Sequence, residues 1–172
     1  MNKYRLAALL LLVLAATALR LMPQPPNFTP VLALALFSGV FFRDRRLALF
    51  VPLGVMLISD LLLGWHATMP FVYFSFALIV FMGRAIRPRV STALVAGGGI
   101  TGSMMFFIIT NFGVWLTGTM YPKTMEGLFA CYVAAIPFLH YMIAGTLFYS
   151  ALFFGLFLLA ERNIPAISNE TA

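Results

Sequence analysis

Long apolar blocks separated by short clusters of charge, proline and glycine dominate this chain, and they set its expected architecture. The blocks predict membrane-spanning helices near residues 6–22, 28–42, 47–64, 69–83 and 91–115, followed by a stretch over 128–160. That last stretch exceeds the ~20 residues needed to cross a bilayer, and Pro137 interrupts it. It divides on this reading into an interfacial piece over 126–136 and a final span over 138–160. The expected fold is all-α: an integral membrane bundle of about six transmembrane helices, forming one domain over residues 1–172.

The second block is short. Its apolar part, Pro30–Phe42, covers only roughly 20 Å as a helix against a hydrocarbon core of roughly 30 Å. Two readings stand. In one, the helix begins below the outer surface, with Thr29 as its cap, Pro30 in its first turn and its positive end pointing into the protein. In the other, Asn27 to Arg43 form a tilted full span with the arginine snorkelling to the interface.

Composition strengthens the membrane assignment, since 62% of the residues are apolar, 9% are charged and the mean hydropathy is +0.99. A soluble domain of this length has no place for so much apolar surface. The net charge of +6 does not point to nucleic acid, because the basic residues lie between the apolar blocks and form no continuous face. They act as topology signals. Lys3, Arg5, Arg43, Arg45, Arg46, Arg84, Arg87, Arg89 and Arg162 fall on one side of the span map, and only Arg20 and Lys123 on the other. Basic loops stay in the cytoplasm, so both termini are expected there, in the inner membrane of a bacterium. A competing reading of the start is a secretory signal peptide, with Ala16-Thr17-Ala18 as the cleavage site, which would leave five spans. The polar tail from Ile164 to Ala172 is expected to be disordered. Cys131, the single cysteine, lies in an apolar run and permits no internal disulfide.

Once the orientation is set, the polar residues of the spans gather at the outer level. Arg20 ends the first span, Asn27 precedes the second, Asp60 lies a turn below the outer end of the third and His66 follows it. Asn111 and Trp115 lie near the outer end of the fifth span, and His140 and Tyr141 near the start of the sixth. The inner halves are almost wholly apolar, so the arrangement predicts a polar chamber open to the outside. Ionisable groups inside a membrane face a protein interior or a wet cavity, which makes Asp60 the leading candidate for a site. Its alternative role is a buried ion pair with Arg20 that only fixes helix packing. His66, beside Trp65, also suits an interfacial anchor, and His140 suits a local backbone partner at a helix start. No metal site is expected, because the histidines and the aspartate lack metal-ligand spacing. Small residues at Ala35 and Gly39, and at Gly98 and Gly102, mark close helix contacts with a partner either inside the chain or on another subunit.

The run Pro26-Asn27-Phe28-Thr29-Pro30-Val31 resembles the opening signature of an uncharacterised family of small bacterial inner-membrane proteins. Further resemblance follows in order at Ser59-Asp60-Leu61, at Asn111-Phe112-Gly113-Val114-Trp115, at Tyr121-Pro122-Lys123-Thr124 and at Cys131 to Phe138. Members carry Arg-Asn after the Pro-Phe segment and an Asp after the next glycine, where this chain has His140, Tyr141 and Thr146. In architecture the family is similar to the substrate-binding S components of energy-coupling-factor (ECF) vitamin transporters. That resemblance implies six helices, an outward-facing pocket and transporter coupling subunits as partners.

The expected function is a small-molecule capture subunit of an uptake system, loaded from the periplasmic side. Its candidate ligand contacts are Arg20, Asn27, Asp60, His66, Asn111, Trp115, His140 and Tyr141. Asp60 would accept hydrogen bonds or pair with a cationic group, while Trp115 and Tyr141 would stack on a planar ring. The alternative is a structural or assembly subunit without a ligand. No enzyme is expected, since neither G-x-S-x-G nor H-E-x-x-H spacing occurs, and no cofactor.

Overall fold

A computed structural model describes residues 2–168. Among them the chain forms α1 (Lys3–Leu21), α2 (Val31–Phe41), α3 (Arg45–Leu63), α4 (Met69–Ile86), α5 (Thr92–Thr117) and α6 (Met125–Asn163), with a 3-10 turn over Arg87–Arg89 and no strand. Short polar side chains start four of the helices: Asn2 accepts from the Arg5 N–H, Asp44 from Arg46 and Leu47, Ser91 from Leu94 and Thr124 from Gly127. Each satisfies N–H groups that the first turn leaves without partners. The Leu47 and Arg46 N–H groups also hold the Asp44 carboxyl below the usual aspartate range. Gly64 ends α3 at φ 106°, a left-handed conformation that glycine adopts without a side-chain clash.

The short helix α2 is the centre of the bundle. Residues Leu32 to Phe42 are all buried, because α1, α3, α4, α5 and α6 pack around them. A helix surrounded on every side must be apolar all round, and α2 has a single polar side chain, Ser38, whose hydroxyl donates to the Ala48 carbonyl at 2.7 Å. The Phe37 ring meets Phe153, Phe154 and Phe157 of α6 edge-on. Against α4 the two backbones touch: a Cβ on Gly39 would strike the Val80 carbonyl, and one on Gly83 the Leu36 carbonyl. Gly98 and Gly102 of α5 likewise face Leu36 of α2 and Ile79 and Met82 of α4. Both small-residue pairs therefore serve packing inside the chain.

One end of the bundle is basic and holds both ends of the described chain. Arg84 and Arg87 donate to the Phe42 carbonyl at 3.3 Å each, so cations sit at the negative C-terminal end of α2. Phe157, which packs on Phe41, lies beneath the Arg5 guanidinium, and Arg5 is paired with Glu161. Asn2 donates to the Ala166 carbonyl at 2.8 Å, which ties the start of the chain to its end.

Four expectations are corrected. By length and composition, three helical stretches rather than six are long and apolar enough to cross a membrane: Met69–Arg89, Thr92–Thr117 and Met125–Asn163. The 11 residues of α2 cover only roughly 16 Å. At 19 residues each, α1 and α3 carry Lys3, Arg5 and Arg20, and Arg45, Arg46 and Asp60. Second, the interfacial piece 126–136 and the span 138–160 are one continuous 39-residue helix. Pro137 lies inside it at an exposed position. Proline inside an apolar helix is tolerated when surrounding groups accommodate the freed carbonyl. Third, residue Pro30, not Thr29, holds the capping position of α2, with no side-chain cap bond. The tail also departs from expectation over residues 164–168, which turn back so that the Ile167 carbonyl accepts from Arg5 at 3.3 Å. The rest of the expected disordered tail, 169–172, lies outside the described residues.

Candidate functional site

At the end of the bundle opposite the termini, three helices converge on a buried carboxylate. Asp60 stands in the last turn of α3 and is 2% exposed. Arg20, in the last turn of α1, donates from Nη2 to Asp60 Oδ1 at 2.8 Å, and Tyr73, one turn into α4, donates from Oη to Asp60 Oδ2 at 3.0 Å. The second guanidinium nitrogen of Arg20 contacts the Met56 sulfur, one turn before Asp60 on the same face of α3. Leu57 and Gly64, also at helical spacing from Asp60, are exposed, so only the Met56 side of that face turns inward. A charge in this setting is expensive unless paired, and the structure pairs it.

Beside this network lies a cavity of about 190 Å³. Its polar wall is Arg20, Asn27, Thr29 and His66, and its apolar wall includes Leu32, Met56, Val72, Phe76, Phe106 and Met142. The loop before α2 reaches this depth because α6 has no side chain at Gly145: a Cβ there would come within 3.0 Å of Phe28 Cα and 3.2 Å of the Thr29 nitrogen. The loop turns through Asn27 at φ 62°, a left-handed conformation that asparagine tolerates better than most residues. His66 is exposed at the rim, with Nδ1 2.8 Å from Thr68 Oγ1. It also borders a wider surface depression of about 440 Å³ lined by Leu57, Trp65, Pro70 and Tyr73. A third cleft, of about 450 Å³, opens between α5 and α6 around Val95, Leu147 and Phe154. The cavity beside Arg20 is the smallest of the three, yet it is the one that gathers a charge and several hydrogen-bonding groups.

Of the eight candidate residues, the structure brings Arg20, Asn27 and His66 to this cavity and sets Asp60 behind Arg20. The other four stand apart. Asn111 donates to its own helix at the Phe107 carbonyl, 2.8 Å away. The Trp115 indole N–H donates to the Pro122 carbonyl at 2.9 Å, under Lys123, which fixes the α5–α6 loop. His140 and Tyr141 stack on each other, 4.1 Å between centroids, on the exposed face of α6. Among the described residues, no group of three or more His, Cys, Asp or Glu is placed to hold a metal ion. Tyr73, which completes the Asp60 shell, was not among the candidates. Its position one turn after the start of α4 puts it level with Asp60 in the last turn of α3, and that signal could have found it.

Fold and site together define an all-helical protein with candidate membrane-spanning helices and a buried Arg–Asp–Tyr network beside a small cavity at one end. The chain belongs to the family of unknown function DUF6580, whose sequence model matches residues 1–167. No curated protein and no solved structure matches it.

Proposed function

We propose that this protein is a small-molecule capture subunit in the inner membrane of a bacterium, with the Arg20 cavity as its binding site. The observation that carries the reading is the cavity itself: a charged side chain and three further polar residues meet an apolar wall at the end of the bundle away from both termini. On this reading all six helices sit in the membrane, with α2 as a short central element. The basic end, with the termini and Arg43, Arg84 and Arg87, faces the cytoplasm, and the cavity faces the periplasm. Pockets for drug-sized ligands measure about 300–1,000 Å³, so about 190 Å³ holds only a small molecule unless the site opens. Six helices with an outward pocket suit an S-component-like subunit, and the chain has no nucleotide-binding motif, so energy would come from coupling subunits or an ion gradient.

A second reading, a structural or assembly subunit, is favoured by one observation. Both Asp60 oxygens accept from partners within the chain, so the buried carboxylate needs no ligand. Native mass spectrometry of the protein extracted together with its lipid separates the two. A retained small molecule is expected; protein that never carries one, across mild extraction conditions, speaks for the structural reading.

A further inference from the structure

The donors around the cavity can be counted. A guanidinium carries five N–H donors and no acceptor. Among the described residues, the Arg20 guanidinium finds one carboxylate oxygen, on Asp60, and one thioether sulfur, on Met56. Sulfur is a weak acceptor, so this half-buried charged group is short of protein partners where it lines the cavity. Next to it, the Asn27 and Thr29 side chains make no hydrogen bond among the described residues. The first turn of α2 lines the cavity through Val31 and Leu32, and its opening N–H groups have no capping side chain. Asp60 does not line the cavity: its oxygens accept from Arg20 and Tyr73 behind the wall, and no carboxylate is among the lining residues. The polar wall therefore offers the spare N–H donors of Arg20 and of the start of α2, beside Asn27 and Thr29, whose side chains can donate or accept. The facing wall of Leu32, Val72, Phe76, Phe106 and Met142 offers only apolar contact.

We infer that the cavity takes a small organic anion, a monocarboxylate with a compact apolar body, whose carboxylate sits against Arg20 and the start of α2 and whose body fills the Phe76–Phe106 side. This rests on the capture reading above and gives its ligand a class. It also reverses the sign expected from sequence: Asp60 does not receive a cation but positions the guanidinium that receives an anion. Charge-assisted pairing of a carboxylate with Arg supplies the orientation, and the small volume excludes long chains.

The test uses the full chain in lipid nanodiscs and matched probes that share a body and differ in charge: isobutyrate, isobutyramide and isobutylamine, then benzoate, benzamide and benzylamine. The carboxylates should raise the melting temperature in a saturable way, and the amides and amines should not. Because Arg20→Gln alone leaves Asp60 buried without its partner, the double variant Arg20→Gln with Asp60→Asn serves as the folded control. It should weaken carboxylate binding by about tenfold or more, the scale of one charge-assisted hydrogen bond. Stabilisation by the amines or amides instead of the acids would overturn the anion assignment and leave the capture reading standing. If no probe binds, the molecule retained by the native protein decides: one without a carboxylate overturns the assignment alone, and the absence of any retained molecule overturns both.

Discussion

Arg20 and Asp60, forty residues apart on α1 and α3, lie 2.8 Å from each other with the carboxylate almost fully buried. The pair joins the C-terminal ends of the two helices and holds the guanidinium at the wall of the cavity. Replacing Arg20 leaves the buried Asp60 carboxylate without its counterion, which costs about 3–5 kcal/mol, and replacing Asp60 leaves the half-buried Arg20 unpaired at a smaller cost. Arg20→Gln should therefore lower the melting temperature of the purified protein markedly and Asp60→Asn by less, while the double variant recovers most of the loss. Single variants that melt like the native protein would show that the pair contributes nothing to the fold.

Much of the molecule could be read from its sequence, for a physical reason. Apolar blocks bounded by charge set where α1, α3, α4 and α5 begin and end to within a few residues, and depth along those blocks put Arg20 and Asp60 at one level, with their pairing as the alternative to a ligand role for Asp60. Depth does not give the face. Asn111, Trp115, His140 and Tyr141 share the outer level, but Asn111 turns to its own helix carbonyl and the two α6 rings point outward. The continuity of α6 through Pro137 was hidden as well, because a proline's local cost says nothing about whether an exposed position absorbs it. Nor could the central place of α2 be read from its 11 residues, although its unbroken apolar character is what such a place requires.

Close approach of α2 and α4 gives a second prediction. Gly39→Ala sets a methyl group against the Val80 carbonyl, with Gly83 Cα only 3.0 Å away, and backbone cannot rotate aside as a side chain can. Overpacking of this kind costs about 1–3 kcal/mol. Gly54→Ala on α3, whose new methyl meets nothing within 4 Å, should be neutral or stabilising by up to about 1 kcal/mol through helix propensity. Thermal melts of the two variants in the same detergent compare them directly.

The left-handed backbone at Asn27 predicts an ordered response to substitution. Asn27→Gly should keep the loop and the cavity, since glycine adopts φ 62° freely. Asn27→Val, with a branched side chain, should strain the turn by about 1–3 kcal/mol and disturb Thr29 beside it. Melting temperature measures the strain, and carboxylate binding measures the disturbance of the cavity.

Orientation follows from the charge at the two ends of the bundle. Reporter fusions after Arg46, Arg89 and Arg162 should read cytoplasmic, and fusions near Gln24, Ala67 and Lys123 periplasmic. A periplasmic signal at Arg89 would overturn the orientation proposed from the charge at the two ends.

The account stands or falls on whether the Arg20 cavity holds a molecule or only an ion pair. The direct measurement is native mass spectrometry of the wild-type protein beside the double variant Arg20→Gln with Asp60→Asn, both extracted with their lipids and matched in melting temperature. The account predicts a small bound molecule on the wild type that the double variant has lost while its fold persists. Equal occupancy in the two proteins, or none in either, would contradict it.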